Sequence, residues 1–302
     1  MDHIIVNNGV CIPSIGYGPG GVVQGRFFRC RIHIIERVVN AVYNRLMFRK
    51  YVNNCVFALQ HGYRLIDYSS AYGFEHLIGK AIKKSKIPRE EIIITTRVSN
   101  SDQFSGNIRN GFFQSMKKLG VSYIDLYMFH WPVTNCYLET YKEMEKLYQE
   151  GYIKILGVAN CHQHHLEEIL KVCNVPPAIN QFEVHPLFTQ KPLIKFCQDK
   201  HIAVEAYTPL ARNDDRLRRN RVLQEIAEKY NKTIQQVILK WHVQNGIIPI
   251  VRSSNLKRII DNISIFDFVL SKEEILSIST LDCVTTLIIV ILLHYNGKYI
   301  EQ

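Results

Sequence analysis

Apolar residues recur along the chain in short, nearly continuous runs, and stretches of helical period lie between them. The runs fall at residues 14–18, 63–68, 91–97, 123–130, 153–158, 178–184, 202–207 and 247–251. A strand with one wet face alternates apolar and polar residues. A strand covered by helices on both sides is apolar throughout, and most of these runs are of that second kind. Between them, Tyr137, Leu138, Tyr141, Met144, Leu147 and Tyr148 fall near one helical stripe, and residues 223–230 and 233–244 repeat the pattern around a short turn at Asn231 and Lys232. Eight strand–helix alternations without a Pro/Gly/Ser-rich linker predict an α/β fold, a single (β/α)8 TIM barrel over residues 1–283. Ahead of it, residues 4–12 read as a β-hairpin turning on Asn8 and Gly9.

Two segments break the pattern. Residues 20–55 have room for one loop and one helix, yet they are long, strongly basic and weakly periodic. A barrel without its first helix would leave one flank uncovered, so this segment is where the fold is least specified. The tail, 284–302, shows no clear amphipathic period and stands apart from the barrel.

Charge alters the picture only locally. Lys plus Arg number 37 against 27 Asp plus Glu, a net +10 that leaves room for an anionic cofactor. The excess gathers in Arg26, Arg29, Arg31, Arg37, Arg45, Arg49 and Lys50, opposed by Glu36 alone. No aromatic-interleaved module accompanies this cluster, so it reads as a solvated face, and no nucleic-acid partner is expected. The eight cysteines include no C-x-x-C pair, which fits reduced thiols in a cytoplasmic protein. Met1, Asp2 and His3 do not begin a secretory leader, and the apolar run 287–293 is far short of the ~20 residues that span a bilayer. No membrane partner is expected.

In such a barrel the working groups come from the C-terminal ends of the strands. Those ends carry Asp67 and Tyr72, Arg97, His130 and Trp131, Asn160, Gln181, Tyr207, and Arg252 with Ser253. They supply an acid, a phenol, a cation, an imidazole, two amides, an aromatic face and an anion clamp. Two other candidates carry less. His162 and His165 stand one turn apart beside Cys161, but no distant partner ligands accompany them, so no metal is expected. Gly18, Gly20 and Gly21 lack the G-x-G-x-x-G spacing of a dinucleotide fold.

Taken in order, the motifs resemble the aldo-keto reductases, most closely the bacterial and fungal branch of aldehyde, glyoxal and diketogluconate reductases. The resemblance rests on 64–73 with its aspartate and tyrosine five apart, 123–132 ending at His130, Trp131 and Pro132, and 155–160. It continues through 179–186, 206–210 and 248–255 with Arg258, Asp261 and Asn262. It runs from about Ile4 to Cys283, interrupted at 20–55. It implies hydride transfer from NADPH to the carbonyl carbon of a small aldehyde or ketone. Tyr72 would donate the proton, His130 would orient the carbonyl oxygen, and Asp67 would pair the neighbouring cation. Asn160 and Gln181 would hold the nicotinamide carboxamide, Tyr207 would stack on its ring, and Leu210 would join the cofactor contacts. Arg252, Ser253, Arg258 and Asn262 would clamp the adenosine phosphate, and Trp131 would line the substrate pocket.

Four positions depart from the family pattern. Ala159 replaces a serine, Arg252 a lysine and Asp261 a glutamate; most consequentially, Arg97 replaces the lysine beside the phenol. A free phenol titrates near ~10 and needs a neighbouring cation to become a useful acid. Arginine keeps the charge, but its fork favours bidentate pairing with Asp67. Two readings follow: a working reductase, or an NADPH-binding barrel with impaired chemistry that serves as a sensor or interaction protein.

Overall fold

The computed structural model describes residues 2–20, 33–284 and 286. Arg26, Arg29, Arg31 and Cys30 lie outside the described residues, as does the tail apart from Val284 and Thr286. The chain opens with strands β1 (His3–Ile5) and β2 (Cys11–Pro13), paired antiparallel. Gly9 takes φ +84° at the turn and its N–H donates to the Val6 carbonyl at 2.8 Å, as the Asn-Gly pair predicts. Eight parallel strands then close a barrel: β3 (Gly16–Tyr17), β4 (Leu65–Asp67), β5 (Ile93–Val98), β6 (Ile124–Phe129), β7 (Ile153–Ala159), β8 (Ile179–Glu183), β9 (Ala203–Tyr207) and β10 (Ile247–Val251), the last pairing back onto β3. Six lie inside the apolar runs, and β5 and β7 each extend one residue past theirs.

The apolar residues divide into two layers. Leu65, Leu126, Met128, Ile155, Ile179 and Ile248 fill the barrel interior, while a larger cluster packs the outer strand faces against the helices. Val6 and Ile12 of the hairpin belong to the inner cluster. Asn7 and Asn8 donate to the carbonyls of Pro177 and Lys154, close to the starts of β8 and β7. The hairpin therefore plugs the N-terminal end of the barrel and leaves the other end as a mouth.

The first barrel helix is present and begins within the segment 20–55, whose sequence is weakly periodic. It spans His33–Gln60, 28 residues against 13 in the helix Tyr137–Gln149. Its second half buries Val52, Cys55, Val56, Ala58 and Leu59, while Val42 and Leu46 earlier in the helix are exposed. Arg37, Arg45, Arg49 and Lys50 point to solvent. Among the described side chains the buried stripe is confined to residues 52–59, which is why the period of the whole segment is faint. Elsewhere local chemistry sets the ends: Asn231 closes one helix in the left-handed region, and Thr233 opens the next with a capping box to Gln236. His162 caps the helix Gln163–Val172 and the His165 ring accepts from its N–H, so these two histidines serve a helix start. Among the described residues no group of His, Cys, Asp or Glu is arranged for a metal, and no helix is long and apolar enough to cross a membrane.

One packing contact depends on a missing side chain. Gly79, in the helix Glu75–Ser85, lies so close to the end of the helix Ile108–Leu119 that a Cβ would overlap the Leu119 carbonyl. Gly79→Ala should therefore cost about 1–3 kcal/mol through overpacking. In urea denaturation this is a lowered midpoint at unchanged slope; an unshifted midpoint would show that the two helices separate freely.

Candidate active site

The mouth opens into a cavity of about 960 Å³. Asp67, Tyr72, His130, Trp131, Asn160, Gln181 and Tyr207 line its barrel end. Leu210, Arg252, Ser253, Arg258 and Asn262 line the arm that runs out over the last strand. The structure thus brings together every residue singled out from sequence except Arg97, which lies beneath the others, 2% exposed.

Arg97 projects from β5 into a knot of acceptors. Its Nη2 donates to Asp67 Oδ1 at 2.6 Å and to Gln181 Oε1 at 2.6 Å, and its Nη1 donates to the Tyr68 carbonyl. The bidentate pairing expected with Asp67 does not form. Gln181, reaching across from β8, takes the second proton of the nitrogen that meets the carboxylate, and backbone takes the other nitrogen. Burial opposes the guanidinium charge, but Asp67, with Tyr72 and Glu205 adding, more than offsets it and keeps Arg97 above its ordinary value.

Two neighbours feel that charge. The Tyr72 phenol is pushed above its ordinary value, chiefly by burial; Arg97 and Arg252 pull it down and Asp67 pushes it up. Contrary to expectation, the cation moderates the phenol without winning. His130 is pushed down to about 3 by burial, with Arg97 adding to the effect, so its ring is neutral at physiological pH. Its Nδ1 faces Ser69 Oγ at 3.3 Å, and that oxygen already accepts from the Ala71 N–H. With Ser69 donating to Nδ1, the neutral ring carries its proton on Nε2 and donates from there. The Tyr72 and His130 rings stand edge to face, with centroids 6.0 Å apart.

Beyond the knot, Asn160 adopts φ +59°, a conformation asparagine tolerates. Its Nδ2 donates to the His130 carbonyl, and its Oδ1 accepts from the Tyr207 hydroxyl at 2.7 Å. At the outer arm, Asn255 caps the helix Leu256–Ile263, directing that helix's N-terminus at the cavity beside Arg252 and Ser253. The shorter Asp261 pairs with Lys257 at 2.6 Å. A Cβ on Gly20 would sit 2.8 Å from the Arg252 guanidinium, so glycine lets the chain pass there.

Sequence reasoning missed Arg212 and Lys257, two further cations lining the cavity. Arg212 sits in the loop after β9, where Thr208, Ala211, Arg212 and Asn213 all take positive φ. Left-handed backbone at non-glycine residues is uncommon and gathers at functional sites. No residue type announces it, so the sequence carried no signal beyond the arginine itself.

A closed parallel barrel with an acid, phenol, cation and neutral imidazole at one mouth, beside a long cationic arm, has the makings of a cofactor-dependent barrel enzyme. Comparison with known proteins agrees. The profile described as Aldo/keto reductase family matches residues 43–282. Glyoxal reductase of Bacillus subtilis (strain 168) is 43% identical over 225 residues, covering 74% of this chain and 81% of the relative. Among solved structures, an aldo-keto reductase from a Medee basin deep-sea metagenome library superposes with a TM-score of 0.84 at 34% identity, covering 95% of this chain and 97% of that one. The Bombyx mori aldo-keto reductase solved with NADP gives 0.83 at 29% identity, covering 96% and 95%. The chain belongs to the aldo/keto reductase family.

The buried pair makes a stability prediction. Removing one partner of a buried ion pair costs about 3–5 kcal/mol, whereas replacing both with apolar groups is often neutral. Asp67→Ala should thus destabilise strongly, and adding Arg97→Met should recover much of the loss. Additive losses in the double variant would mean that the two charges are not energetically coupled.

Proposed function

We propose that this protein reduces small aldehydes and ketones to alcohols with NADPH, with Tyr72 as the proton donor. The observation that carries the reading is the convergence of Tyr72, His130, Asp67 and Arg97 on the barrel end of the same cavity whose outer arm holds Arg252, Ser253 and Arg258. The arm fits a phosphorylated dinucleotide. It offers a helix N-terminus, several cations and two lining glycines, Gly18 and Gly20, where Cβ atoms would crowd the Ile250 and Arg252 side chains.

Bound NADPH supplies the hydride. Arg252, Arg258, Ser253 and Asn262 hold the adenosine phosphate, with Arg212 and Lys257 adding positive charge. Tyr207 offers a flat face to the nicotinamide ring, Leu210 packs beside it, and Asn160 and Gln181 present amides to the carboxamide. Trp131 lines the space left for the carbonyl compound. His130, neutral, donates a hydrogen bond to the carbonyl oxygen, and Tyr72 delivers its proton to that oxygen as negative charge builds there. A phenol above its ordinary value remains fully protonated at neutral pH, which is the form a donor requires. Arg97 stabilises the tyrosinate left behind. The glyoxal reductase relative, and the methylglyoxal reductase of Escherichia coli (strain K12) at 40% identity, support small dicarbonyls as substrates.

One observation favours the second reading, a barrel that binds NADPH without turnover. Arg97 is tied by Asp67, Gln181 and the Tyr68 carbonyl, and its pull on the phenol is weaker than burial's push.

The deciding experiment follows NADPH oxidation with small aldehydes as substrates. The wild-type chain should turn over, and Tyr72→Phe should lose about 10²–10⁴-fold. Turnover only in Arg97→Lys would establish the second reading, and silence in both would sink the reductase assignment. Separately, Arg252→Ala should weaken NADPH binding by about tenfold to a hundredfold, the worth of a charge-assisted phosphate contact, and leave NADH binding little changed. Equal weakening of both would place Arg252 away from the 2′-phosphate.

A further inference from the structure

Below the Arg97–Asp67 pair the barrel holds a second carboxyl that the chemistry above leaves without a task. Glu205 stands on β9, register partner of Gln181 on β8 and of Ile248 on β10, and is wholly buried. Its Oε2 accepts from Gln181 Nε2 at 2.8 Å, and its Oε1 has no hydrogen-bond partner among the described residues. The same Gln181 turns its Oε1 to Arg97 Nη2 at 2.6 Å, and its Nε2 also faces Asp67 Oδ1 at 3.3 Å.

An amide has a fixed polarity: its oxygen accepts and its nitrogen donates. Glu205 is the nearer of two acceptors that hold the nitrogen end of Gln181 away from Arg97. A reversed amide would set an NH2 group against the guanidinium and take away one of the acceptors that hold it. We propose that Glu205 is a positioning residue for proton transfer: by fixing the Gln181 amide it holds the Arg97 guanidinium where its charge acts on Tyr72. This rests on the reading of Tyr72 as the proton donor.

The charge state follows from the surroundings. The ionisable groups facing Glu205 are Asp67 from β4 and Arg97 from β5; β8 presents the neutral Gln181 and β10 the apolar Ile248. Arg97 is already balanced by Asp67, so a second carboxylate would stand uncompensated among apolar side chains. Burial, with Asp67 adding, pushes Glu205 up to about 8 against the pull of Gln181 and Arg97. At neutral pH Glu205 therefore holds its proton. Above about 8 it becomes an anion beside the pair, offsets Arg97 and makes the phenol a weaker acid, so turnover declines. Because the folded value lies above that of the unfolded chain, the contribution of Glu205 to stability falls as pH rises from about 4.5 to about 8 and then levels off.

Four measurements on the full chain test this. Difference infrared spectra should show a protonated-carboxyl stretch at neutral pH that disappears above about 8 and is missing in Glu205→Gln. Ultraviolet titration of the wild-type chain, less that of Tyr72→Phe, isolates the Tyr72 phenol. Its midpoint should move up by about one pH unit in Glu205→Leu, which cannot hold the amide. In turnover, Glu205→Leu should lose about tenfold to a hundredfold in kcat with KM little changed. Glu205→Gln, whose own carbonyl can accept from Gln181, should recover part of that loss and lack the decline above about 8. A neutral-pH spectrum without the band, or a Tyr72 midpoint indifferent to Glu205→Leu, overturns the inference. Neither of these readouts needs an active enzyme, so a chain silent toward carbonyls would defeat the reductase reading while the spectra still decide the role of Glu205.

Discussion

A guanidinium buried inside a barrel imposes conditions on everything around it. In a low-dielectric interior an unpaired charge is prohibitive, so acceptors have to be brought to Arg97 from several strands. Asp67 and the Tyr68 carbonyl come from the end of β4, and Gln181 comes from β8 across the barrel. Meeting these demands ties distant strands together at the mouth. The same charge reaches the two groups proposed for proton handling with opposite effect. It eases proton loss from Tyr72, and it discourages proton gain by His130. One cation thereby favours an imidazole that only donates a hydrogen bond and a phenol that gives up its proton more readily than burial alone would allow.

The two ends of the cavity follow different physics. At the barrel end, Asp67, Arg97 and Gln181 are buried and side chains are tied to one another, as with Asn160 between the His130 carbonyl and the Tyr207 hydroxyl. At the outer arm, Arg252 and Arg258 are exposed, and affinity there depends on charge and on the helix N-terminus. The first arrangement suits orientation, and the second suits capture of an anion from solvent.

Much of this was readable in the residues, and the remainder has identifiable causes. The barrel strands announced themselves because both faces are covered, which leaves unbroken apolar runs. The mouth residues were found because the fold places function at strand ends. That same rule hid Glu205, which sits inside an apolar run two residues before the end of its strand. The single-nitrogen contact of Arg97 with Asp67 was beyond reach because the competing acceptor, Gln181, lies 84 residues away. The helix His33–Gln60 was faint because its described buried side chains all fall between residues 52 and 59, and the family profile begins only at residue 43, within that helix. Arg212 depended on backbone conformations that no residue type signals.

The hairpin at the start of the chain gives the barrel a direction. With Val6 and Ile12 stoppering one end, the interior is a flask with its neck at the cofactor cavity. A molecule seated in the cavity therefore lies across the neck, above the buried Asp67, Arg97 and Glu205, so its presence changes the solvation that these groups meet from that side.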